Sequence, residues 1–197
     1  MYITEGDLEN FILQDIDSSY SAWISSIIDM VGGYIDNYCG TDFMGGNAGE
    51  DRYFDGSGTN ELYVGDFQAV TAVSLLDIFG NTISNLTENQ HYFTYPLNQT
   101  VKNMLVLNGG FYGIFPKRRR AVKVTGTWGY GASNVPPEIK AAAIKLAAKL
   151  INEGLRGGQV KTENLGSYSI TYKDVDEQAD AMGINDILDG FRMVLLD

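Results

Sequence analysis

Two adjoining stretches decide the fold: Val122-Lys-Val-Thr-Gly-Thr-Trp-Gly-Tyr130 and, after Val135-Pro-Pro137, Glu138-Ile-Lys-Ala-Ala-Ala-Ile-Lys-Leu-Ala-Ala-Lys-Leu-Ile151. In the first stretch apolar residues alternate with polar ones, so that one face carries Val122, Val124, Trp128 and Tyr130. This pattern predicts a strand. The prolines end it, and Pro137 suits the first position of a helix, where a missing N–H costs nothing. The sequence therefore predicts a strand that leads directly into a helix.

This helix is apolar around most of its circumference. One face carries the i, i+3, i+4, i+7 spacing of an amphipathic helix, formed by Ile139, Ala142, Ala143, Leu146, Ala147, Leu150 and Ile151. A second row, Ala141, Ile144 and Ala148, covers much of the opposite side. Helices that are apolar on nearly all sides are normally buried on several sides. Two interpretations stay open: a central helix of a monomer, or a helix whose second row also contacts another subunit.

Further helices and a β-rich region flank this centre. Trp23, Ile24, Ile27, Ile28, Val31, Tyr34, Ile35 and Tyr38 lie on one side of a predicted helix at about 19–39. Two more are predicted at about 5–14 and at about 184–195, beside the one at about 137–152. Short β-type runs separated by glycine, asparagine and aspartate fill about 50–131, and Tyr168–Tyr172 is a candidate short strand. We therefore predict an α+β fold in one domain, 1–197: a small helical bundle with an inserted small antiparallel sheet.

Composition restricts the class of protein. Hydrophobic residues make up 44% and charged residues 20% of 197 residues, which is typical of a globular chain. No apolar run approaches the roughly 20 residues of a membrane span, and the N-terminus lacks the pattern of a signal peptide. The single cysteine, Cys39, permits no internal disulfide. These features predict a soluble protein made in a reducing cytoplasm, with no membrane partner.

Charge is distributed unevenly along the chain. Residues 1–100 hold 15 acidic residues and one basic residue, a net charge of −14, whereas residues 101–197 hold 10 acidic and 13 basic residues, a net charge of +3. The first half offers no basic stripe of the kind that binds nucleic acid tightly. The one basic run is Lys117, Arg118, Arg119 and Arg120. It is either a solvated turn before the strand or a site that meets an acidic protein face or passes near phosphate.

Residues with catalytic or metal-binding chemistry are sparse. His91 is the only histidine and no catalytic motif surrounds it, so a half-exposed strand residue is the better interpretation. One histidine and one cysteine exclude the common zinc ligand sets. Asp51, Asp55 and Glu61 could form a carboxylate Ca²⁺ site, but their spacing is not that of an EF-hand, and a turn between strands explains them better. No phosphate-binding loop is present. We expect no enzyme activity and no cofactor.

The order of the segments resembles that of the head-to-tail connector (adaptor, or head-completion) proteins of tailed bacteriophages. Four stretches, which span most of the chain, carry the likeness: Tyr34–Phe43; Arg52–Val64 with Ala69–Val73; Val122–Gly131 leading through Val135 to Ala143; and Leu165–Tyr172 with Ile187–Arg192. The resemblance rests on their order, since each motif alone is weak. The segment from Asp77 to Arg120 is longer than the family pattern.

The resemblance implies a structural virion protein. Such proteins form rings, usually twelve-fold, beneath the portal in the neck, where they extend the DNA channel and receive a stopper or tail protein. It therefore implies a homo-oligomeric ring, a portal and a stopper or tail protein as partners, double-stranded DNA that passes without specific binding, and synthesis in a host bacterial cytoplasm. It also implies that the C-terminal segment docks on the portal, through Ile184, Ile187, Leu188, Phe191 and Leu195. Subunits would meet through Ala141, Ile144 and Ala148 and through Lys117, Arg118, Arg119 and Arg120.

Two other classes remain open. A carbohydrate- or ligand-binding β-module with helical flanks is suggested by the 12 tyrosines and two tryptophans, which could stack on sugar faces. An enzyme built on carboxylates is the third possibility, since 25 acidic residues always supply some suitable pair. The connector predicts a multivalent protein partner, the binding module predicts a monomer that responds to glycans, and the enzyme predicts activity lost on one carboxylate change.

Overall fold

The computed structural model describes residues 2–46, 48–110, 113–155 and 172–192, with side chains in the last range described from Val175 onward. The chain divides into two compact units. The helical unit contains Met1–Thr41 and Val135–Asp197, and the sheet unit contains Asp42–Asn134.

The helical unit contains five described α-helices and one short 3-10 turn. They are α1 (Glu5–Ile12), the turn Ser18–Tyr20, α2 (Ser21–Cys39), α3 (Pro137–Leu155), α4 (Tyr172–Ala181) and α5 (Ile184–Asp189). A capping box begins α1: the Thr4 hydroxyl accepts from the Asp7 N–H at 3.2 Å, and the Asp7 carboxylate accepts from the Thr4 N–H at 2.7 Å. Gly40 ends α2 in the left-handed conformation, with φ 68°.

The core of the helical unit lies where α2, α1 and α5 contact α3. The apolar face that was predicted for α3 is buried, and so is most of the face predicted for α2. Small side chains let the helices approach closely, as at Gly154, where a Cβ would lie 2.5 Å from the Trp23 ring. Helical periodicity therefore identified this core correctly.

The described residues of the sheet unit form one antiparallel sheet of six strands. They are β1 (Glu50–Phe54), β2 (Glu61–Leu76), β3 (Thr82–Leu86), β4 (Tyr92–Tyr95), β5 (Lys102–Leu107) and β6 (Val122–Trp128). The order is β1-β6-β2-β5-β4, and β3 also pairs with β2. Because β2 pairs with β6 on one side and with β5 and then β3 on the other, this 16-residue strand organises the whole sheet.

The sheet buries one face over a continuous apolar cluster. In β6 the buried and half-buried positions alternate, which confirms the predicted strand pattern. Trp128 is almost fully buried, and its indole N–H donates to the Glu50 carbonyl at 2.9 Å. The first and last segments of this unit lie together, since a Cβ at Gly129 would lie 2.3 Å from the Asp42 carbonyl oxygen, and the rings of Phe43 and Tyr130 are 4.9 Å apart.

The mixed α+β class is confirmed, but the sheet is larger than the small one that was predicted. Several element bounds also differ from the sequence-based ones. The helix α4 was not predicted, and it begins at Tyr172, the last residue of a predicted strand whose other residues lie outside the described part of the chain. The last described helix ends at Asp189, before Gly190, and the predicted extension from 193 onward lies outside the described residues.

Candidate subunit-interface surfaces

The second apolar row of α3 is only partly open to solvent. Ala141 is exposed and Ile144 is half-buried, whereas Ala148 is buried. Beyond this row, Lys149 forms an exposed ion pair with Glu153 at 2.8 Å. The structure thus leaves the N-terminal half of the predicted row available to a neighbour and places Ala148 in the interior.

The basic run is a turn that backbone contacts fix in place. The Gly56 N–H donates to the Arg118 carbonyl at 2.9 Å, and the Arg120 N–H donates to the Asp55 carboxylate at 2.7 Å. Close approach requires glycine at position 56, because a Cβ there would lie 1.8 Å from the Pro116 carbonyl oxygen. Lys117, Arg119 and Arg120 are exposed and Arg118 is half-buried. The guanidinium charges are therefore presented from a defined position beside β1.

The turn between β2 and β3 presents apolar side chains to solvent. Ile78 and Phe79 are 79% and 82% exposed. The turn beneath them is ordered by Asp77, whose carboxylate accepts from the Phe79 N–H at 2.8 Å and the Asn81 N–H at 2.9 Å. The Asn81 side-chain amide also donates to this carboxylate, at 3.0 Å, and this bond, followed by the one from the Asn81 N–H, holds the pKa of the Asp77 carboxyl below its usual value. Adjoining exposed apolar side chains form a patch, and such patches often mark a contact surface, whereas single exposed apolar residues are common.

The apolar turn and the basic run are neighbours. Together they line a shallow cavity of about 460 Å³, with Tyr53, Leu76, Asp77, Ile78, Phe79, Gly80, Arg119 and Arg120 in its wall. The Arg120 guanidinium lies over the Tyr53 ring, 4.6 Å from its centroid. We call Ile78, Phe79, Arg119 and Arg120 the apolar–basic tip. The arginines of this tip are part of the predicted interface, whereas Ile78 and Phe79 are not, although two large apolar residues between Asp77 and Gly80 are a visible signal in the sequence.

The helical unit carries a groove with a volume of about 360 Å³. Its wall comes from α1, from the connection between α1 and α2, and from the last turns of α3. The lining residues are Leu8, Ile12, Gln14, Asp15, Ile16, Asp17, Tyr20, Ala148, Ile151, Asn152 and Leu155. Among the described residues that line it, only Asp15 and Asp17 are charged, so we call it the acidic groove.

Local hydrogen bonds fix one wall of the acidic groove. The Glu9 carboxylate accepts from the Ile16 N–H at 2.9 Å, and the Asp17 carboxylate accepts from the Ser19 N–H at 2.8 Å. The second of these bonds lowers the pKa of Asp17, which stays ionised at neutral pH. Leu13, which ends α1 between the lining residues Ile12 and Gln14, is 91% exposed. An apolar groove with negative charge at its wall suits a partner that is apolar and basic.

The C-terminal segment is anchored in the helical unit. Ile184 and Leu188 are fully buried, Ile187 and Phe191 are half-buried, and Leu195 lies outside the described residues. The Tyr34 hydroxyl of α2 contacts Asp176 of α4 at 2.8 Å and the Asn185 side-chain amide of α5 at 2.7 Å. Ile184 and Leu188 thus hold α5 in place, and only Ile187 and Phe191 of the described set are open to a partner.

Cys39 lies against the same segment. Its thiol is fully buried and contacts the Leu188 carbonyl oxygen at 3.7 Å. Burial raises the pKa of this thiol to about 12, so it is neutral and unreactive in the folded protein.

His91 and two of the three carboxylates of the candidate Ca²⁺ site, Asp51 and Asp55, have structural partners. His91 accepts from the Thr87 N–H at 2.8 Å through Nδ1, which fixes a local turn. Asp51 accepts from Thr125 at 2.5 Å and Lys123 at 3.3 Å, and Asp55 accepts from the Arg120 N–H. Within the described residues, no group of three or more His, Cys, Asp or Glu side chains could hold a metal ion. The same part of the chain has no helix long and apolar enough to cross a membrane.

Sequence comparison does not place the chain, since neither a protein-family model nor a curated protein matches it. Structural comparison does find similar chains. One belongs to the neck of a native GTA particle computed with C12 symmetry, with a TM-score of 0.51 and 14% identity over 91% of this chain and 86% of that one. Another belongs to the neck of an empty GTA particle computed with C6 symmetry, with a TM-score of 0.55 and 13% identity over 100% of this chain and 92% of that one.

A third similar chain comes from the virion of a native gene transfer agent (GTA) particle, with a TM-score of 0.46 and 17% identity over 90% of this chain and 80% of that one. At such identities the first two matches establish a shared fold. The resemblance to neck proteins that the sequence suggested is therefore confirmed at the level of the fold.

Proposed function

We propose that this chain is a structural protein of the neck of a phage-like particle, a head-to-tail connector located between capsid portal and tail. The observation that carries the proposal is the shared fold, which extends over 91% and 100% of the chain in the two neck structures. Both are symmetric assemblies, and this supports a homo-oligomeric ring, with twelve subunits as the number to test first. On this proposal the protein is not an enzyme and needs no cofactor.

A closed ring requires two different surfaces on each subunit, one for each neighbour. The basic run Lys117–Arg120 and the open part of the α3 row, Ala141 and Ile144, are proposed as parts of these surfaces, with Ala148 supporting the row from inside. The helical unit, proposed to be a small bundle, would carry the α3 contact. The uneven charge along the chain, −14 in residues 1–100 and +3 in 101–197, would favour such contacts between unlike faces.

The ring is proposed to extend the portal's DNA channel and to receive a stopper or tail protein. DNA would pass without specific binding where the wall is acidic, because such a wall gives the phosphates no cationic partner. The C-terminal segment is proposed as the portal-docking element. Ile187 and Phe191 would make the contact together with Leu195, while Ile184 and Leu188 fix their position from the core.

The experiment that tests this function measures native mass, for the chain alone and after mixing with the portal ring encoded in the same genome. Stoichiometric loading onto the portal supports the connector. A chain that stays monomeric and ignores the portal contradicts it.

A pair of variants tests the docking segment in the same assay. Ile187→Glu together with Phe191→Glu is expected to abolish loading. Met182→Glu is the matched control, because Met182 is an exposed apolar residue beside α5 but outside the docking set. Circular dichroism shows whether both variants keep the wild-type fold. Equal loading by a folded double variant would contradict the assignment of the segment and leave the connector function standing.

The carbohydrate-binding alternative has less support from the structure. Sugar binding by stacking needs open aromatic faces, and Arg120 already covers the Tyr53 ring. The exposed Phe79 ring is the aromatic face that this alternative would use.

A further inference from the structure

We propose that the apolar–basic tip of one subunit binds in the acidic groove of the next copy of the same chain. This inference rests on the proposed ring and names the contact that closes it. The partner is thus a second copy, and the contact joins Ile78, Phe79, Arg119 and Arg120 of one subunit to the groove between α1 and α3 of its neighbour.

The apolar parts of the two surfaces match in size. A cavity of about 150 Å³ holds one benzene ring. The groove, at about 360 Å³, therefore has room for the Phe79 ring and the side chain of Ile78. The groove wall already supplies Ile12, Ile16 and Tyr20 as apolar contacts. Burial of a phenylalanine side chain stabilises a contact by about 1.5–3 kcal/mol.

The tip is prepared for binding, because its turn is already ordered. Asp77 holds the backbone of Phe79 and Asn81, and Gly80 takes φ 87° without a Cβ clash. Little conformational entropy is then lost when the tip enters a groove. The wall that carries Ile16 and Asp17 is fixed by its own hydrogen bonds in the same way.

The charges of the two surfaces are complementary. In the tip, Arg119 and Arg120 lie beside Ile78 and Phe79, and the one carboxylate that lines the same cavity, Asp77, is engaged by its own turn. Asp15 and Asp17 line the groove, and residues 1–20 contain five acidic residues and no lysine or arginine. Opposite charges around an apolar centre orient a contact and disfavour incorrect pairings. The basic end of one surface therefore fits the acidic end of the other.

The contact would be heterologous, because the tip belongs to the sheet unit and the groove to the helical unit. A heterologous contact joins subunits head to tail, and it produces a ring when the rotation closes. It also covers two of the most exposed large apolar residues among those the structure describes, which in a lone subunit would promote aggregation.

Cysteine cross-linking tests the contact directly. Phe79→Cys places a thiol on the tip and Gln14→Cys places one in the groove, while native Cys39 stays buried and unreactive. The two variants are mixed, with and without the portal ring, and treated with a short bis-maleimide. Cross-linked dimers are expected only in the mixture, and a chain that carries both cysteines is expected to give a ladder of covalent oligomers.

Leu97→Cys is the matched control, since Leu97 is an exposed apolar residue of the same sheet unit outside the tip. Its mixture with Gln14→Cys is expected to give no dimer above background. Three results overturn the inference: no dimer from the Phe79→Cys mixture, equal yield from the Leu97→Cys mixture, or only intramolecular product from the doubly substituted chain.

Charge reversal gives a second, independent measurement. Arg119→Glu and Asp15→Lys are each expected to lower the cross-linking yield about tenfold, and their combination is expected to restore it, because the pair is then reversed rather than removed. If each single variant lowers the cross-linking yield and the double variant does not restore it, the pairing of Arg119 with Asp15 is contradicted.

Failure of this inference and failure of the proposed function give different results. If the chain loads onto the portal as a ring while the cross-link is absent, the tip-to-groove contact is wrong and the connector function stands. If the chain ignores the portal, the connector function is wrong whatever the cross-linking shows.

Discussion

Tyr34→Phe tests how the helical unit holds its C-terminal helices. The substitution keeps a ring that is 8% exposed and removes only the hydroxyl, which contacts Asp176 at 2.8 Å and the Asn185 amide at 2.7 Å. A phenol carries one proton, and both contacts are to acceptor oxygens, so the hydroxyl shares that proton between the Asp176 carboxylate and the side-chain oxygen of Asn185. The variant therefore loses the bonds that join α2 to α4 and α5.

The expected loss of unfolding free energy is about 2 kcal/mol. A hydrogen bond to a charged group contributes about 1.5–3 kcal/mol and one between neutral groups about 0.5–1.5 kcal/mol. Asp176 is exposed and Asn185 is half-buried, so both can be rehydrated in the variant. This puts each contribution near the lower end of its range.

The assay is the rate at which a thiol reagent labels Cys39 under native conditions, since this thiol lies beneath α5 and reacts only after the helices open. A loss of about 2 kcal/mol corresponds to labelling that is roughly 30-fold faster when opening is at equilibrium. Urea unfolding followed by far-ultraviolet circular dichroism should show a lower midpoint with an unchanged slope.

Tyr38→Phe is the matched control. It lies one turn further along α2, and its hydroxyl donates to Asp189 at 2.9 Å in an exposed position. Its stability is expected to change by less than about 0.5 kcal/mol. Equal labelling rates for the Tyr34→Phe and Tyr38→Phe variants would refute the reasoning.

Three further outcomes follow from the geometry. Gly56→Ala places a Cβ 1.8 Å from the Pro116 carbonyl oxygen, so tryptophan fluorescence should show the sheet unit losing more than about 3 kcal/mol in urea; a loss below about 1 kcal/mol contradicts the fixed turn. Gly33→Ala meets no atom within 4 Å on α2 and should raise stability by about 1 kcal/mol, and a lower urea midpoint would contradict this. Burial and the contact with Asp176 raise the pKa of Tyr34, and burial raises the pKa of Cys39 from 9.0 to about 12. Both groups favour folding while neutral, so the urea midpoint should be constant between about pH 6 and pH 9 and fall as the pH rises toward 12; a midpoint that stays constant up to pH 12 would be inconsistent with this.

The central helices and the last strand could be predicted because one local rule determines each of them. In α3 the rows of alanine, leucine and isoleucine follow the helical period, and the buried face agrees with them. In β6 the alternation of valine and lysine or threonine gives the buried face directly. Such patterns indicate which side chains are buried on folding, and a few helical turns or a few strand residues are enough to show them.

The extent of the sheet could not be predicted in the same way. Glu61–Val64 and Val70–Leu76 look like separate strands, because Gly65 and Asp66 between them are typical of a turn. In the structure both runs belong to β2, and Gly65 takes φ 75° where the pairing with β5 shifts register between Tyr63 and Phe67. A bulge depends on the partner strand, so the isolated sequence does not distinguish it from a turn.

The surfaces were harder to predict than the core. The period of Ile184 and Leu188 correctly shows an apolar face, but a period does not say whether that face meets the chain's own core or another protein, and here it meets the core. Ile78 and Phe79 were missed for the opposite reason. Turn residues are expected to be polar, and an apolar pair at a turn follows no period that would reveal it.

The closeness of the first and last segments of the sheet unit has a consequence for the order of folding. The two halves of the helical unit are separated by roughly 90 residues, and the entropy lost in joining them grows with the logarithm of that length. Once the sheet has formed, Asp42 and Gly129 are already neighbours, and the effective loop shrinks to roughly ten residues. The entropic free-energy cost of joining the two halves of the helical unit falls by about 2 kcal/mol. On a ribosome, where residues 42–134 emerge before α3, the sheet would fold first and act as the clasp on which the helices assemble.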